Sequence, residues 1–293
     1  MFELIGIPPQ ALFGQLLLGL INGAFYAMLS LGLAVIFGML NVINFTHGAQ
    51  YMMGAFAAWL MLGILDVPFW ASLVLAPILV GLFGVVLERV MLKRIYHLDH
   101  LYGFLLTFGL ALIIEGLFQW RWGSSGAPYP SPIPGGYNLG FMFLPTYRAW
   151  VVVFSLTVCL ATWFMIEKTR LGAYLRAATE NPTLVRAFGI NVPRMITLTY
   201  GFGVALAAFA GVMAAPIYSV NPVMGSYLII VVFAVVVIGG MGSIMGSIVT
   251  GFGLGVVEGL TKVFYPEASN TVIFIIMAIV LMLRPQGLFG TPK

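Results

Sequence analysis

Charged side chains are scarce in this sequence. Lys and Arg number 13 and Asp and Glu 9, together 8% of 293 residues, against 61% hydrophobic residues and a mean hydropathy of +1.06. A soluble domain needs far more polar surface, so this composition excludes that class. Cysteine is nearly missing too. Cys159 stands alone inside the apolar run Trp150 to Ile166, so neither a disulfide framework nor a thiolate metal site can be assembled. Its expected role is packing. No H-E-x-x-H, C-x-x-C or G-x-x-x-x-G-K-[ST] occurs, which leaves no evident metal site and no P-loop for ATP. Energy for any pumping must then come from elsewhere, and no cofactor is expected. The net charge is +4, but the basic residues form no long run interleaved with exposed aromatics, as a nucleic-acid surface would. The opening MFELIGIPPQ carries Glu3 and two prolines in place of a basic n-region, so no cleaved signal peptide is expected.

What the chain does have is apolar length. A spanning helix takes about 20 apolar residues, and windows meeting that test run at about 11–40, 47–65, 69–92, 101–120, 149–166, 195–217, 226–245, 246–265 and 270–284. The fold class is therefore all-α: a polytopic integral membrane protein of about eight to ten helices, nine on this count, in a single transmembrane domain over residues 1–293. If the segments alternate, Arg89, Lys93, Arg94, Lys168, Arg170, Arg176, Arg186, Arg194, Arg284 and Lys293 share one side, leaving Arg121, Arg148 and Lys262 opposite. That asymmetry marks the cytoplasmic face, with the N-terminus outside and the C-terminus inside. An outer loop at 121–148 is rich in proline and glycine and is expected to be extended and irregular.

Two spans depart from a plain apolar rod. Residues 11–40 would make a helix of about 45 Å against a hydrocarbon core of about 30 Å, so this segment must tilt, break or re-enter. It runs into NVINFTHGAQ, where Asn41, Asn44, Thr46, His47 and Gln50 are too polar to face lipid. Irregular backbone at that depth is tolerated where it lines a cavity or is buried in protein. The second departure is the Gly-rich stretch Gly239 to Gly259. Small residues at Gly242/Gly246 and Gly251/Gly255/Gly259 would share one helix face, giving either close helix packing or an unwound segment beside a conduit.

Few groups could carry chemistry. Glu258 is the deepest carboxylate on this reading, a candidate for the translocation path, and Lys262 four residues on could neutralise it. Glu115, near Trp120, falls at the outer end of its span. His47 could titrate near neutral pH or serve as a hydrogen-bonded structural residue. Gly123-Ser124-Ser125-Gly126 resembles a serine-hydrolase motif with His47 as an imagined base, but it opens a Pro-rich loop. The only aspartates, Asp66 and Asp99, fall in separate loops on opposite faces.

The most informative segment is the polar, basic loop at 167–194, about 28 residues where, apart from the outer loop at 121–148, the connections are short. It reads as helix, Pro182, second short helix, Gly189, and it presents Arg176, Glu180 and Arg186. Lying on the cytoplasmic face, it can dock a soluble partner; otherwise it is a solvated connector.

Five stretches carry a family resemblance: Gly19 to Phe56, Gly172 to Gly203, Ala210 to Gly225, Val235 to Gly259, and RPQGLFG at Arg284 to Gly290. In order along nearly the whole chain, they resemble the LivH-type permease subunits of branched-chain amino acid ABC importers. The resemblance implies an ABC importer permease-like fold and a subunit that pairs with a second, LivM-like permease. It also implies two cytoplasmic ATP-binding subunits and a periplasmic substrate-binding protein, in a bacterial inner membrane. ATP would be bound by the partners. By resemblance, Glu180 with Arg176, Ala178, Asn181 and Gly189 would sit in an ATPase groove. Asn41, Asn44, Thr46, His47 and Gln50 would lie near the conduit, while Tyr218 to Ser226 and the Pro-rich loop would face the binding protein. The cargo implied is leucine, isoleucine or valine, with urea, short amides or aromatic acids as alternatives. Two other readings stay open: a proton-coupled secondary transporter using Glu258 and His47, and an intramembrane hydrolase using Ser125.

Overall fold

A computed structural model describes residues 8–40 and 43–290. Glu3, Asn41 and Lys293 therefore lie outside the described residues. Among the described residues eleven α-helices follow one another: α1 (Pro9–Leu40), α2 (Thr46–Leu65), α3 (Phe69–Val90), α4 (His100–Trp122), α5 (Thr146–Lys168), α6 (Arg170–Glu180), α7 (Pro182–Ala187), α8 (Val192–Ala214), α9 (Met224–Gly239), α10 (Ile244–Phe264) and α11 (Val272–Leu283). Seven are long and apolar enough to cross a membrane. The other two apolar helices, α9 and α11, have 16 and 12 residues, which at about 1.5 Å per residue falls short of a core of about 30 Å. All nine apolar segments thus form helices, and two of them are partial in length.

Local signals set many of the boundaries. Asp99 accepts a hydrogen bond from the Leu101 amide (2.9 Å) at the start of α4, Asn191 from the Arg194 amide (3.1 Å) at α8, and Ser243 from the Gly246 amide (3.1 Å) at α10. Each satisfies an amide that the first turn of a helix leaves free. Gly240 and Gly242 have φ of 103° and 87° and make the tight turn from α9 to α10. Gly242 therefore sits in that turn rather than on the helix face expected for it.

Backbone contact holds the bundle together. The Gly251, Gly255 and Gly259 face of α10 lies directly on Gly19, Gly23 and Ala27 of the antiparallel α1, with no room for a Cβ at Gly255. α8 packs in the same way on three neighbours. Gly211 meets Tyr51 and Ala55 of α2, Gly201 meets Gly81 and Val85 of α3, and Gly203 meets Gly32 and Ile36 of α1. Lipid tails are as apolar as the side chains, so association between spans rests on such close approach. The stripe is a packing seam, and α10 stays helical along it.

The 121–148 loop departs from expectation at both ends and in its middle. α4 runs to Trp122 and α5 begins at Thr146. Between them, β1 (Gly136–Asn138) and β2 (Phe143–Pro145) pair antiparallel, and Ala127 bridges to Val220 in the α8–α9 connection. Tyr129 is buried there, 6.2 Å from the ring of Phe69. The loop is tied down by these pairings and this aromatic contact.

Candidate functional site

The α1–α2 junction folds the polar residues inward. α1 continues unbroken to Leu40, yet α2 starts beside its middle, because His47 Nε2 lies 2.9 Å from the Leu29 carbonyl. Asn44, Thr46, His47 and Gln50 are all fully buried. Asn44 donates to Gln50 Oε1 (3.1 Å), Gln50 donates to the Thr46 hydroxyl (3.2 Å), and Thr46 donates to Asn44 Oδ1. Asn44, Thr46 and Gln50 thus close a ring of bonds among themselves, as buried amides must, while His47 Nδ1 has no partner among the described residues. The cluster sits between α1, α2 and α8, beside Tyr200, and Gly48 of α2 touches the Gly225 backbone of α9. Ser125 lies on the exposed loop while His47 is sealed against Leu29, so the imagined hydrolase pair does not form.

Among the described residues two carboxylates lie inside the bundle. Glu258 pairs with Lys262 and accepts the Tyr26 hydroxyl (2.6 Å). Glu88, which the sequence reading passes over, is more deeply buried, 1% exposed against 6% for Glu258. It accepts hydrogen bonds from Tyr96 (2.9 Å) and Thr197 (2.7 Å), and among the described residues no cation stands within ion-pair distance of it. Burial, with the Glu88 charge next in weight, raises the Tyr96 phenol above its ordinary range, so Tyr96 keeps its proton and donates it.

The polar hairpin is shorter than the 167–194 expected from sequence, because α5 extends to Lys168 and α8 starts at Val192. Inside it, α6 and α7 form as read, with Pro182 opening α7 and Gly189 at φ 82° closing it. The predicted contact residues divide. Ala178 is buried with Val185 and Val192. Asn181 caps α7 through the Leu184 amide (2.9 Å). Arg176 reaches back to the Ile166 carbonyl (3.0 Å) and Glu167, fixing the α5–α6 corner. Glu180 and Arg186 face outward. So do Leu184 and Phe188, 54% and 77% exposed, an apolar pair at i and i+4 on the hairpin tip. Their helical spacing within a polar loop was the available signal.

On the other side of the His47 level lies an open cavity of about 590 Å³. Residues of α1 (Asn22, Phe25, Tyr26), Tyr51 of α2 and the α8–α9 connection from Ile217 to Met224 line it. The Tyr218 hydroxyl donates to Asn22 Oδ1 (2.8 Å). Burial pushes the Tyr218 phenol up to about 12, with Arg148 pulling it the other way. Neither Glu258 nor the Asn44–Gln50 cluster lines this space, though Tyr26 links it to Glu258.

Comparison with known proteins places this arrangement. Residues 15–281 match the family described as "Branched-chain amino acid transport system / permease component". The high-affinity branched-chain amino acid transport system permease protein LivH of Salmonella typhimurium is 30% identical over 295 residues, covering 95% of this chain and 96% of that one. The corresponding permease protein BraD of Pseudomonas aeruginosa is 30% identical, again covering 95% and 96%. A probable branched-chain amino acid transport permease of Methanocaldococcus jannaschii is 26% identical, covering 90% and 88%. A match of this extent, over helices that bury their few polar groups, leaves one conclusion: the chain belongs to the permease family of branched-chain amino acid ABC transport systems.

Proposed function

We propose that this permease works in an ATP-driven importer that moves branched-chain or related amino acids into the cytoplasm by alternating access. Its partners on this reading are a second, LivM-like permease, two cytoplasmic ATP-binding subunits and a periplasmic substrate-binding protein. The membrane is the bacterial inner membrane, with the N-terminus outside and the α6–α7 hairpin inside. Family membership across residues 15–281 carries the reading. The hairpin supports it, since it projects Glu180, Arg186, Leu184 and Phe188 from a body whose other helices are apolar.

On this mechanism ATP closes the ATPase dimer, the hairpin moves with it, and Arg176 transmits the motion to the end of α5 through the Ile166 carbonyl. The permeases then rock about their shared axis. Residues of the buried cluster, Asn44, Thr46, His47 and Gln50, part or shift as the path opens below the cavity.

The test is reconstitution with these four partner subunits in liposomes. Uptake should require ATP, and Glu180→Ala with Arg186→Glu should uncouple substrate-stimulated hydrolysis from transport. Uptake by this chain alone under a proton gradient, with no ATPase present, would overturn the reading.

A further inference from the structure

The cavity between α1, α2 and the α8–α9 connection has the size and character of a small-ligand site, about 590 Å³ with aromatic walls and a few polar groups. Its hydrogen-bonding capacity is unequally distributed. Tyr26 has committed its proton to Glu258 (2.6 Å) and Tyr218 has committed its proton to Asn22 (2.8 Å). Both phenolic oxygens can therefore only accept further bonds. Phe25 stands edge-on to Tyr218 at 5.6 Å, so aromatic rings flank these acceptors. Acceptor oxygens among π-faces suit an ammonium group.

Tyr51 is different. It is fully buried, it lines the cavity, and its hydroxyl finds no partner among the described residues. A buried hydroxyl left unpaired is costly, and this one neighbours Tyr218 and Tyr26. Its proton is free to be donated. Met224, the first residue of α9, lines the same space, and the N-terminal end of a 16-residue helix carries partial positive charge. A free donor beside a helix N-terminus suits a carboxylate.

We propose that this cavity is the permease's own substrate site, a two-ended receptor for a small zwitterion. Tyr26 and Tyr218 take the ammonium, Tyr51 and the start of α9 take the carboxylate, and Phe25, Ile217 and Leu228 surround an apolar side chain. The inference rests on the permease reading and sharpens it, because neutral amides and simple carboxylic acids satisfy only part of the wall. None of the lining residues carries a formal charge, and the Glu258 charge behind Tyr26 is shared with Lys262. Such a site holds its ligand weakly and lets it pass.

The experiment uses the permease–ATPase complex in nanodiscs without the binding protein, and reads ligand contact by saturation-transfer NMR. The probes are leucine, 3-methylbutylamine, which lacks the carboxylate, and 4-methylpentanoate, which lacks the ammonium. Leucine should bind at about millimolar strength and each one-ended analogue about tenfold or more weakly. Tyr51→Phe should weaken leucine and leave 3-methylbutylamine unchanged, while Tyr26→Phe should weaken leucine and leave 4-methylpentanoate unchanged. Equal binding of all three probes to the unmodified complex, or no leucine contact at all, overturns the site. ATP-driven uptake by the full assembly is measured alongside. If uptake persists while the probes fail to discriminate, the site falls and the permease reading stands; if ATP-driven uptake is itself missing, the permease reading falls.

Discussion

Glu88 of α3 and Thr197 of α8 are joined by a 2.7 Å hydrogen bond across 109 residues of sequence. Thr197 lies in the second turn of the helix that leaves the polar hairpin, and Tyr96 completes the contact from the α3–α4 connection. Glu88→Ala removes an acceptor shared by two hydroxyls; Thr197 keeps the Pro193 carbonyl (3.1 Å), but Tyr96 loses its partner, which should cost about 1–3 kcal/mol. Glu88→Gln keeps an acceptor and should cost less. Thermal unfolding of the purified protein in detergent separates the two, and equal stability of wild type and Glu88→Ala would refute the account.

Gly255 offers a second test. A Cβ there would run into the Gly19 carbonyl and the Gly23 backbone, whereas Gly253 on the same helix has nothing within 4 Å. Gly255→Ala should therefore destabilise by about 1–3 kcal/mol through overpacking. Gly253→Ala should be neutral or slightly stabilising, by about 0.5–1 kcal/mol, from helix propensity alone. Denaturation midpoints of the pair measure the difference with chemistry held constant.

The hairpin tip makes a binding prediction. Leu184→Ser with Phe188→Ser touches no packed core, so the permease itself should keep its stability to within about 0.5 kcal/mol. Anchoring apolar residues at an interface are worth about 2 kcal/mol or more, which is about thirtyfold in affinity. Co-purification with the ATP-binding subunits should fall accordingly. Retention of the subunits at wild-type strength would remove these two residues from the interface.

Sidedness can be read with thiols, because the one native cysteine, Cys159, is fully buried. A membrane-impermeant maleimide applied to intact cells should leave the wild type unlabelled. Ser125→Cys should react from outside, and Thr179→Cys only after the membrane is opened. The reverse pattern would invert the topology and detach the hairpin from any cytoplasmic motor.

Much of the architecture is legible locally. Pro182, Asn181 and Gly189 mark the start, cap and end of α7 without help from the rest of the chain, and nine apolar runs announce nine helices. Other features depend on distant partners. Glu88 sits between apolar residues and Arg89 in sequence, and only α8 and Tyr96 folding over it make it a buried acceptor. The 121–148 loop reads as irregular from its prolines, yet Gly136 pairs with Pro145 in a short hairpin and Ala127 pairs with Val220, a contact that no local window contains. The cavity draws on α1, α2 and the α8–α9 connection, so none of its donors and acceptors announces a site singly. For the same reason the polar residues at Asn44–Gln50, conspicuous in sequence, turn out to bond mainly to each other.

The glycine seam between α1 and α10 has a mechanical consequence. Where backbone rests on backbone, no rotamers are available to absorb sliding, and the two helices must travel together as one strut. The same kind of contact, Gly172 on the Ile166 backbone and Gly240 and Gly242 on the Gly290 and Gly38 backbones, stiffens the α5–α6 corner and the α9–α10 bend. On the proposed mechanism, a force applied at the hairpin would pass through that stiff corner to the end of α5 and leave the strut undeformed.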